Sequence, residues 1–255
     1  MESIKTNHGL VHVCSDKTEL GKASADEFVK AAEKAIKSHG RFTVGLSGGH
    51  TPPLLYDQLT SAQYKTKVEW QKVHFFMSDE RCVPVDSKES NWGTAERLLF
   101  SKLNIPAENL HPMHGQEENP TKCAEEYEAA IKAFFEVKEG EIPRFDLIQM
   151  GMGPDGHTAS LFPGTKALKE QSQLVVENFV DKMETHRITF TYPLLNHASE
   201  IMFMVEGGEK SHVFAEAVQK EDRRYPVQGI APTDGAVVWY VDKDTARDLL
   251  LQKAK

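Results

Sequence analysis

The stretch Phe145-Asp-Leu-Ile-Gln-Met-Gly-Met-Gly-Pro-Asp-Gly-His-Thr-Ala-Ser-Leu-Phe-Pro163 decides the predicted fold. Its opening apolar run, Phe145–Met150, is typical of a buried strand. Three glycines and a proline follow within six residues, so the strand must end in a turn. Asp155 and His157 lie on this turn, and open α/β sheets bind ligands at the carboxyl ends of their strands. The stretch therefore predicts an acid and an imidazole at a site. The alternative is an ordinary loop with a capping Asp and a surface His.

Strands and helices alternate along the rest of the chain. Helical periodicity covers Ala25–Ile36, with Gly40 as the stop, and the segments around Leu55, Ala95, Tyr127, Phe214 and the residues after Asp244. The region 104–120 is predicted to be a loop, and Pro143 is expected to end the segment before the central strand. The other predicted strands are Val11–Cys14, Phe42–Ser47, Val73–Ser78, Leu174–Val180, His186–Tyr192, Ile201–Val205 and Ala236–Val241. This alternation predicts an α/β fold with a mostly parallel sheet covered by helices on both faces.

Composition limits the classes of partner. The formal net charge of −8 argues against nucleic acid or an anionic membrane as the main partner. Three widely spaced cysteines without a Cys-x-x-Cys pattern argue against a disulfide framework or a zinc ribbon. The first residues lack the apolar core of a signal peptide, and no apolar run has membrane-spanning length. We expect a cytoplasmic protein without a membrane anchor, and a monomer.

The turn Ser47-Gly-Gly-His-Thr51 suits a phosphate group. Glycines let backbone N–H groups approach an anion, and the helix that follows adds free donors and a favourable dipole. Ser47 and Thr51 add hydroxyls. The turn is neither a P-loop nor a dinucleotide fingerprint, because the required Gly-Lys-Ser/Thr and Gly-x-Gly-x-x-Gly patterns are absent. A Gly-Gly turn without a ligand is the alternative.

Three further cations are candidates for binding the substrate. In Ser78-Asp-Glu-Arg81, either Asp79 or Arg81 is expected to face the substrate, since Arg binds carboxylates, phosphates or a developing oxyanion. Arg187 and Lys210 each lie in or just after a strand, and together with the Gly-Gly turn they could complete a phosphate site. All three are also compatible with ordinary surface charges. No His-x-x-x-His or His-Glu-x-x-His zinc pattern is present, so we expect no metal.

Several motifs together resemble those of the 6-phosphogluconolactonase family. They are Gly45-Leu-Ser-Gly-Gly-His-Thr-Pro52, Ser78-Asp-Glu-Arg81 with Ser90-Asn91, Gly151–Pro163, Arg187-Ile-Thr-Phe-Thr191 with Leu195-Asn196, and Gly207-Gly-Glu-Lys210. The resemblance covers roughly residues 10 to 250. It implies one modified Rossmann-like α/β domain, residues 1–255, related to glucosamine-6-phosphate deaminase. His50 stands where the family frequently has a small residue, so the backbone part of the phosphate cradle is what we expect to be kept here.

The resemblance implies hydrolysis of 6-phospho-D-glucono-1,5-lactone to 6-phosphogluconate in the oxidative pentose phosphate pathway. A lactone is an electrophile, so we expect no cofactor. His157 is predicted to be the general base that deprotonates an attacking water, because the unperturbed pKa of an imidazole lies near neutral pH. Asp155 would orient the imidazole or bind sugar hydroxyls, and Arg81 would stabilise the carbonyl oxygen or hold the substrate. The predicted anchor for the substrate and its phosphate comprises Ser47, Gly48, Gly49, Thr51, Asp79, Asn91, Arg187 and Lys210.

Two alternatives remain at this stage. The related deaminase shares Asp-Gly-His but has a catalytic Glu five residues after the His, where this chain has Phe162, and a Tyr where Arg81 stands. Both differences favour the lactonase. A non-catalytic sugar-phosphate-binding protein would keep the anchor and need no base.

Overall fold

The fold is organised by two sheets of different character. The computed structural model describes residues 1–115 and 119–253. Its strands are β1 (Glu2–Thr6), β2 (Gly9–Cys14), β3 (Phe42–Leu46), β4 (Val73–Met77), β5 (Asp79–Arg81), β6 (Leu147–Met150), β7 (Val175–Val180), β8 (Thr185–Phe190), β9 (Glu200–Val205) and β10 (Ala236–Asp242). Its helices are α1 (Lys17–His39), α2 (Pro52–Leu59), α3 (Asn91–Leu98), α4 (Pro120–Phe135), α5 (Tyr192–Leu195), α6 (Ser211–Gln219) and α7 (Lys243–Lys253).

The larger sheet has seven strands in the order β1-β2-β10-β9-β6-β3-β4. Every neighbouring pair is parallel except β1 and β2, which form an antiparallel hairpin at one edge. The carboxyl ends of β3, β4, β6 and β9 therefore meet at one edge of the sheet, where ligands bind in such folds. The predicted α/β class with a mostly parallel sheet is confirmed. That residues 1–255 form a single domain stays a prediction.

Helices cover both faces of this sheet. Trp239 and Tyr240 are consecutive in β10, so their side chains point to opposite faces. The Trp239 ring contacts Phe214 of α6 at 5.5 Å between centroids, whereas the Tyr240 hydroxyl donates to Glu27 of α1 at 3.0 Å. α1 and α6 therefore lie on opposite faces, and the sheet between them is buried.

The smaller sheet was not expected as a separate unit. It has three antiparallel strands in the order β5-β8-β7. The residues from Asp79 to Arg81, interpreted from the sequence as part of a loop, form the edge strand β5 and pair with β8. Ser78 joins the two sheets, because its N–H donates to Leu46 O at 2.7 Å and its carbonyl accepts from Phe190 N at 2.8 Å. This connection carries Arg81 from the end of β4 onto the second sheet.

Helix and loop boundaries differ from expectation at two places. α1 ends at Gly40 in the left-handed region, as predicted. α4 ends at Phe135, with Glu136 at φ 53°, well before the expected stop at Pro143. Within the predicted loop 104–120, the stretch Ala107–Asn109 is a short 3-10 helix, and residues 116–118 lie outside the described residues. None of the described helices is long and apolar enough to cross a membrane.

A carboxyl pair beneath α1 makes stability depend on pH. Glu200, at the start of β9, lies beside Glu27, and one of its buried carboxylate oxygens has no hydrogen-bond partner among the described residues. Burial and the neighbouring Glu27 raise the pKa of Glu200 to about 7 from 4.5. The folded state therefore keeps a proton that the unfolded chain loses, so this group destabilises the fold as pH rises from 4.5 to 7.

Glu200→Gln is expected to stabilise the protein relative to wild type, and to do so more at pH 8 than at pH 5. The amide cannot ionise, so the penalty disappears. We expect the free energy of unfolding to rise by about 1 kcal/mol at the higher pH. A shift of one pKa unit corresponds to ~1.4 kcal/mol, and the partial exposure of this carboxyl reduces the effect. Urea unfolding at both pH values measures it, with the exposed Glu139→Gln as control. If the free energy of unfolding differed from wild type by the same amount at both pH values, the ionisation of Glu200 would not be the origin of the effect.

Candidate active site

A cavity of about 500 Å³ opens at the carboxyl edge of the parallel sheet. A second cavity of about 600 Å³ adjoins it, and the two share a wall that includes Arg81, Pro154 and His157. Of the predicted site residues, the first cavity is lined by Ser47, Gly48, Gly49, Thr51, Asp79, Arg81, Asn91, His157 and Lys210. Asp155 and Arg187 line the second. Loops distant in sequence therefore meet around His157.

The turn after β3 presents backbone and hydroxyl groups to the first cavity. Gly49 has φ 103°, a conformation that favours glycine. Thr51 stands at the N-terminus of α2 without capping it, so its hydroxyl is available to a ligand. Ser47 is fixed from below, because its N–H and hydroxyl donate to Gln149 Oε1 at 3.1 and 3.3 Å. Gln149, fully buried in β6, was not predicted, since a buried amide inside a strand gives no distinct pattern in the sequence.

Gly48 allows two site loops to touch. A Cβ atom there would lie 1.7 Å from Asn91 Oδ1, so only glycine permits this approach. The Asn91 amide donates to the backbone oxygen of Asp79 at 2.9 Å, and Asp79 accepts from the Ser160 hydroxyl at 2.7 Å. These buried contacts tie together the turns after β3 and β4 and the loop after β6. Asp79 and Asn91 therefore hold the wall of the cavity as well as lining it.

Lys210 faces the Gly-Gly turn from the end of β9. The chain turns there at Gly207, with φ 109°, and the Lys210 ammonium group donates to no residue in the two ranges the structure describes. Burial lowers the pKa of Lys210, while Glu209, Glu206 and Asp242 act in the opposite direction. A half-buried cation and a glycine-rich turn that line one cavity have the chemistry to bind an anion. Lys17 also lines this cavity and pairs with Glu206 at 2.9 Å; no motif marked it.

His157 is oriented by Asp155. The distance from His157 Nδ1 to Asp155 Oδ1 is 2.5 Å, and the His157 N–H donates to the same oxygen at 3.3 Å. A carboxylate only accepts, so Nδ1 carries a proton, and in the neutral ring Nε2 is the nitrogen with the lone pair. Burial disfavours the charged form of Asp155, but hydrogen bonds from His157 and Lys182 outweigh it and hold the pKa of this carboxyl well below its usual range.

Both faces of the imidazole are packed. A Cβ at Gly153 would lie 2.1 Å from His157 Cε1, so the ring rests against the glycine backbone. The Phe162 ring stacks on His157 with centroids 4.1 Å apart and planes at 27°. Phe162 stands at the position of the deaminase's catalytic Glu, and it places an apolar ring against the imidazole. The imidazole therefore has one fixed orientation.

Arg81 and Arg187 lie opposite one another in β5 and β8. Arg81 Nη1 donates to Glu89 O at 2.5 Å. Arg187 is 7% exposed, and among the described residues it bonds to carbonyl and hydroxyl oxygens but to no carboxylate. Burial and the neighbouring Arg81 lower the pKa of the Arg187 guanidinium. Arg187 lines the second cavity and Lys210 the first, and that the two cations complete one phosphate site stays a prediction.

Glu80 supports the site from beneath, and sequence reasoning gave it no role. It is 2% exposed, and Oε1 accepts from Arg81 N at 2.8 Å and Asn91 N at 2.7 Å. Oε2 accepts from Trp92 N at 2.8 Å and the Ser90 hydroxyl at 3.0 Å. Burial raises the pKa of Glu80, and the backbone N–H bonds oppose that rise. One carboxylate thus closes the loop between Arg81 and Asn91.

Glu80→Ala is expected to destabilise the protein by about 3 kcal/mol, because several buried donors lose their acceptor. It is also expected to weaken substrate binding, since both ends of the loop line the cavity. Thermal unfolding and steady-state kinetics measure the two effects. The exposed Glu89→Ala in the same loop is the matched control. Wild-type stability in Glu80→Ala would show that the buried bonds contribute nothing net.

No group of three or more His, Cys, Asp or Glu side chains in residues 1–115 and 119–253 has the arrangement of a metal site. The independence of this site from metals and cofactors stays a prediction. What the residues do offer is an oriented imidazole, two guanidiniums, an ammonium group and a glycine-rich turn around a polar cavity.

The fold and the site define an α/β protein whose parallel sheet holds a glycine-rich turn, a lysine and an acid–histidine pair at its carboxyl edge. The family described as glucosamine-6-phosphate isomerases/6-phosphogluconolactonase matches residues 15–239. The chain belongs to this family.

Individual relatives are similar over almost the whole chain. A 6-phosphogluconolactonase of Nostoc sp. is 39% identical over 241 residues, covering 94% of this chain and 98% of the relative. One of Synechocystis sp. is 39% identical over 218 residues, covering 85% and 88%. The solved structure of 6-phosphogluconolactonase from Trypanosoma cruzi has a TM-score of 0.85 and 27% identity, covering 98% of this chain and 99% of that one. The predicted family resemblance is confirmed.

Proposed function

We propose that this protein hydrolyses 6-phospho-D-glucono-1,5-lactone to 6-phospho-D-gluconate, the step its relatives are named for. The observation that carries the proposal is His157, oriented by Asp155, in the wall of a cavity that is also lined by the Gly-Gly turn and Lys210. A base and an anion cradle that face one cavity suit a phosphorylated electrophile. The reaction belongs to the oxidative pentose phosphate pathway.

The phosphate is proposed to bind between the turn after β3 and Lys210. Backbone N–H groups around Gly48 and Gly49, the Thr51 hydroxyl and the ammonium group supply donors to its oxygens. Ser47 shapes this turn through Gln149. Holding the phosphate places the ring carbonyl near His157, and such positioning lowers the barrier by removing the entropy cost of bringing the reactants together.

His157 is proposed to act through water. Nε2 takes a proton from the water as its oxygen forms a bond to the lactone carbonyl carbon. Arg81, in the wall shared by the two cavities, stabilises the oxyanion that develops. When the intermediate collapses, the bond from the carbonyl carbon to the ring oxygen breaks, and the imidazolium returns its proton to that oxygen. The products are a sugar hydroxyl and a carboxylic acid, and the acid then releases its proton to solvent to give the carboxylate.

The remaining predicted residues have supporting roles in this proposal. Asp155 keeps the proton on Nδ1 of His157. Asp79 and Asn91 accept and donate hydrogen bonds to the sugar hydroxyls from the buried wall. Arg187, on the Arg81 side of His157, attracts the carboxylate as it forms rather than the phosphate. A family member that only binds sugar phosphates would need the cradle but not the oriented imidazole, so that alternative is less well supported.

The test compares two substrates on the wild-type protein. Hydrolysis of freshly generated lactone is followed by proton release, corrected for spontaneous opening, and ammonia release is followed with glucosamine 6-phosphate. The proposal expects fast hydrolysis of the lactone and no ammonia. Ammonia release would assign a deaminase instead, although this chain has Phe162 at the position of the deaminase's catalytic Glu. Binding of 6-phosphogluconate without acceleration of either reaction would leave a binding protein.

Location and assembly are separate proposals. We propose a monomer that acts in the cytoplasm on a small phosphorylated lactone. Light scattering of the purified protein and cell fractionation test the two statements, and neither outcome changes the reaction proposed above.

A further inference from the structure

The Asp155 carboxylate is shared between two partners. Its Oδ1 accepts from His157, whereas its Oδ2 is hydrogen-bonded to the ammonium group of Lys182. Lys182 lies in the turn between β7 and β8, far along the sequence from the loop that carries the other two residues. No motif in the sequence singled it out. The lysine therefore reaches the acid–histidine pair from the second sheet.

Phe162 closes this arrangement into a ring of contacts. Its aromatic ring stacks on His157 at 4.1 Å between centroids, and the Lys182 ammonium group lies 4.9 Å from the same ring. Lys182 thus contacts both of the side chains that fix the imidazole. The contact of the ammonium group with the aromatic face and its hydrogen bond to the carboxylate together favour one position for the lysine.

We propose that Lys182 is a positioning residue for His157: it fixes the Asp155 carboxylate and offsets part of its charge, so that the imidazole stays neutral and able to accept a proton. This inference rests on the proposed role of His157 as base. The reason is electrostatic. An unshared carboxylate against an imidazole favours the protonated ring, which cannot act as a base, and a cation on the other carboxylate oxygen reduces that preference.

Other charges also face the two cavities. On the side of the second sheet these are Arg81 and Arg187, with Asp79 at the start of β5. Across the first cavity the charged side chains are Lys17, Glu206, Glu209 and Lys210. Among the described residues, Lys182 is the cation that bonds to the carboxylate touching the imidazole, so its removal should act on the imidazole most directly.

Lys182→Met tests the proposal, because methionine keeps an apolar stem over Phe162 and removes the charge. The measurements are the acid limb of the kcat/KM profile and the pH midpoint of the His157 ring, followed by NMR of its nitrogens. We expect both to move upward by about half a pH unit, the order of a charge interaction across ~6 Å in a largely solvated site. The shift should shrink at high salt, since the Lys182 side chain is 54% exposed.

Three variants serve as controls. Lys182→Arg keeps the charge and should restore the wild-type profile. Lys169→Met removes an exposed lysine that lines neither cavity and should change nothing. In an Asp155→Asn background, Lys182→Met should cause a smaller shift, because the part of the effect that passes through that carboxylate is lost and only the direct charge interaction remains.

The outcomes separate this proposal from the assignment of the base. If Lys182→Met titrates like wild type, or shifts equally in the Asp155→Asn background, the positioning role is wrong even if His157 is the base. If His157→Ala keeps full turnover, the base assignment fails. The NMR midpoint still reports whether Lys182 acts on His157, because it does not depend on activity.

Discussion

Replacing His157 by alanine is expected to lower kcat about a thousandfold, within the ~10²–10⁴-fold that a positioned general base contributes. The imidazole is held by Asp155, by the backbone at Gly153 and by Phe162, so no neighbouring group can take its place without moving. Residual hydrolysis should remain, because Arg81 and the phosphate cradle still hold and polarise the lactone. Initial rates with freshly prepared lactone, corrected for spontaneous opening, give the ratio.

The matched control is His212→Ala, which removes a largely exposed histidine of α6 that lines neither cavity. It should keep wild-type kcat. Binding of 6-phosphogluconate to His157→Ala, measured by calorimetry, should remain close to wild type and shows that the cavity is intact. Full turnover in the His157→Ala variant would mean that another group activates the water.

Replacing Lys210 by methionine is expected to raise KM about a hundredfold with a much smaller change in kcat. The ammonium group is half-buried opposite the Gly-Gly turn, and losing one partner of such a charged pair costs about 2–5 kcal/mol. Because burial lowers the pKa of Lys210, substrate affinity should also begin to fall at a lower alkaline pH than an exposed lysine would give. Steady-state kinetics against pH measure both effects.

Lys210→Arg tests whether charge alone suffices in this position, and it should recover part of the affinity. Lys243→Met, at the exposed start of α7, is the control for a general loss of positive charge. An unchanged KM in Lys210→Met would place the phosphate elsewhere, and the second cavity with Arg81 and Arg187 would become the candidate.

Much of the site could be predicted because parallel strands end at the same edge of a sheet. The turns after β3, β6 and β9 each carry glycines beside a polar or charged residue, and each follows a strongly apolar strand. Once the sheet was predicted to be parallel, these turns had to meet. The cavity around Ser47, His157 and Lys210 is therefore a consequence of local patterns plus one topological rule.

What could not be predicted depends on contacts between distant segments. β5 consists of Asp79, Glu80 and Arg81, and three consecutive charged residues give no strand pattern, so its pairing with β8 was invisible. That pairing places Arg187 opposite Arg81. Glu80 was overlooked because a carboxylate is rarely buried without a partner, and its partners are mostly backbone N–H groups, which every sequence contains.

The most direct test of this account measures complete progress curves for wild type, His157→Ala and Lys210→Met with fresh lactone in one assay. The account assigns chemistry to the imidazole and substrate binding to the ammonium group. It therefore predicts that kcat falls with little change in KM in the first variant, and that KM rises with little change in kcat in the second. If both variants change the same parameter, or if neither differs from wild type, the division between base and anchor is wrong.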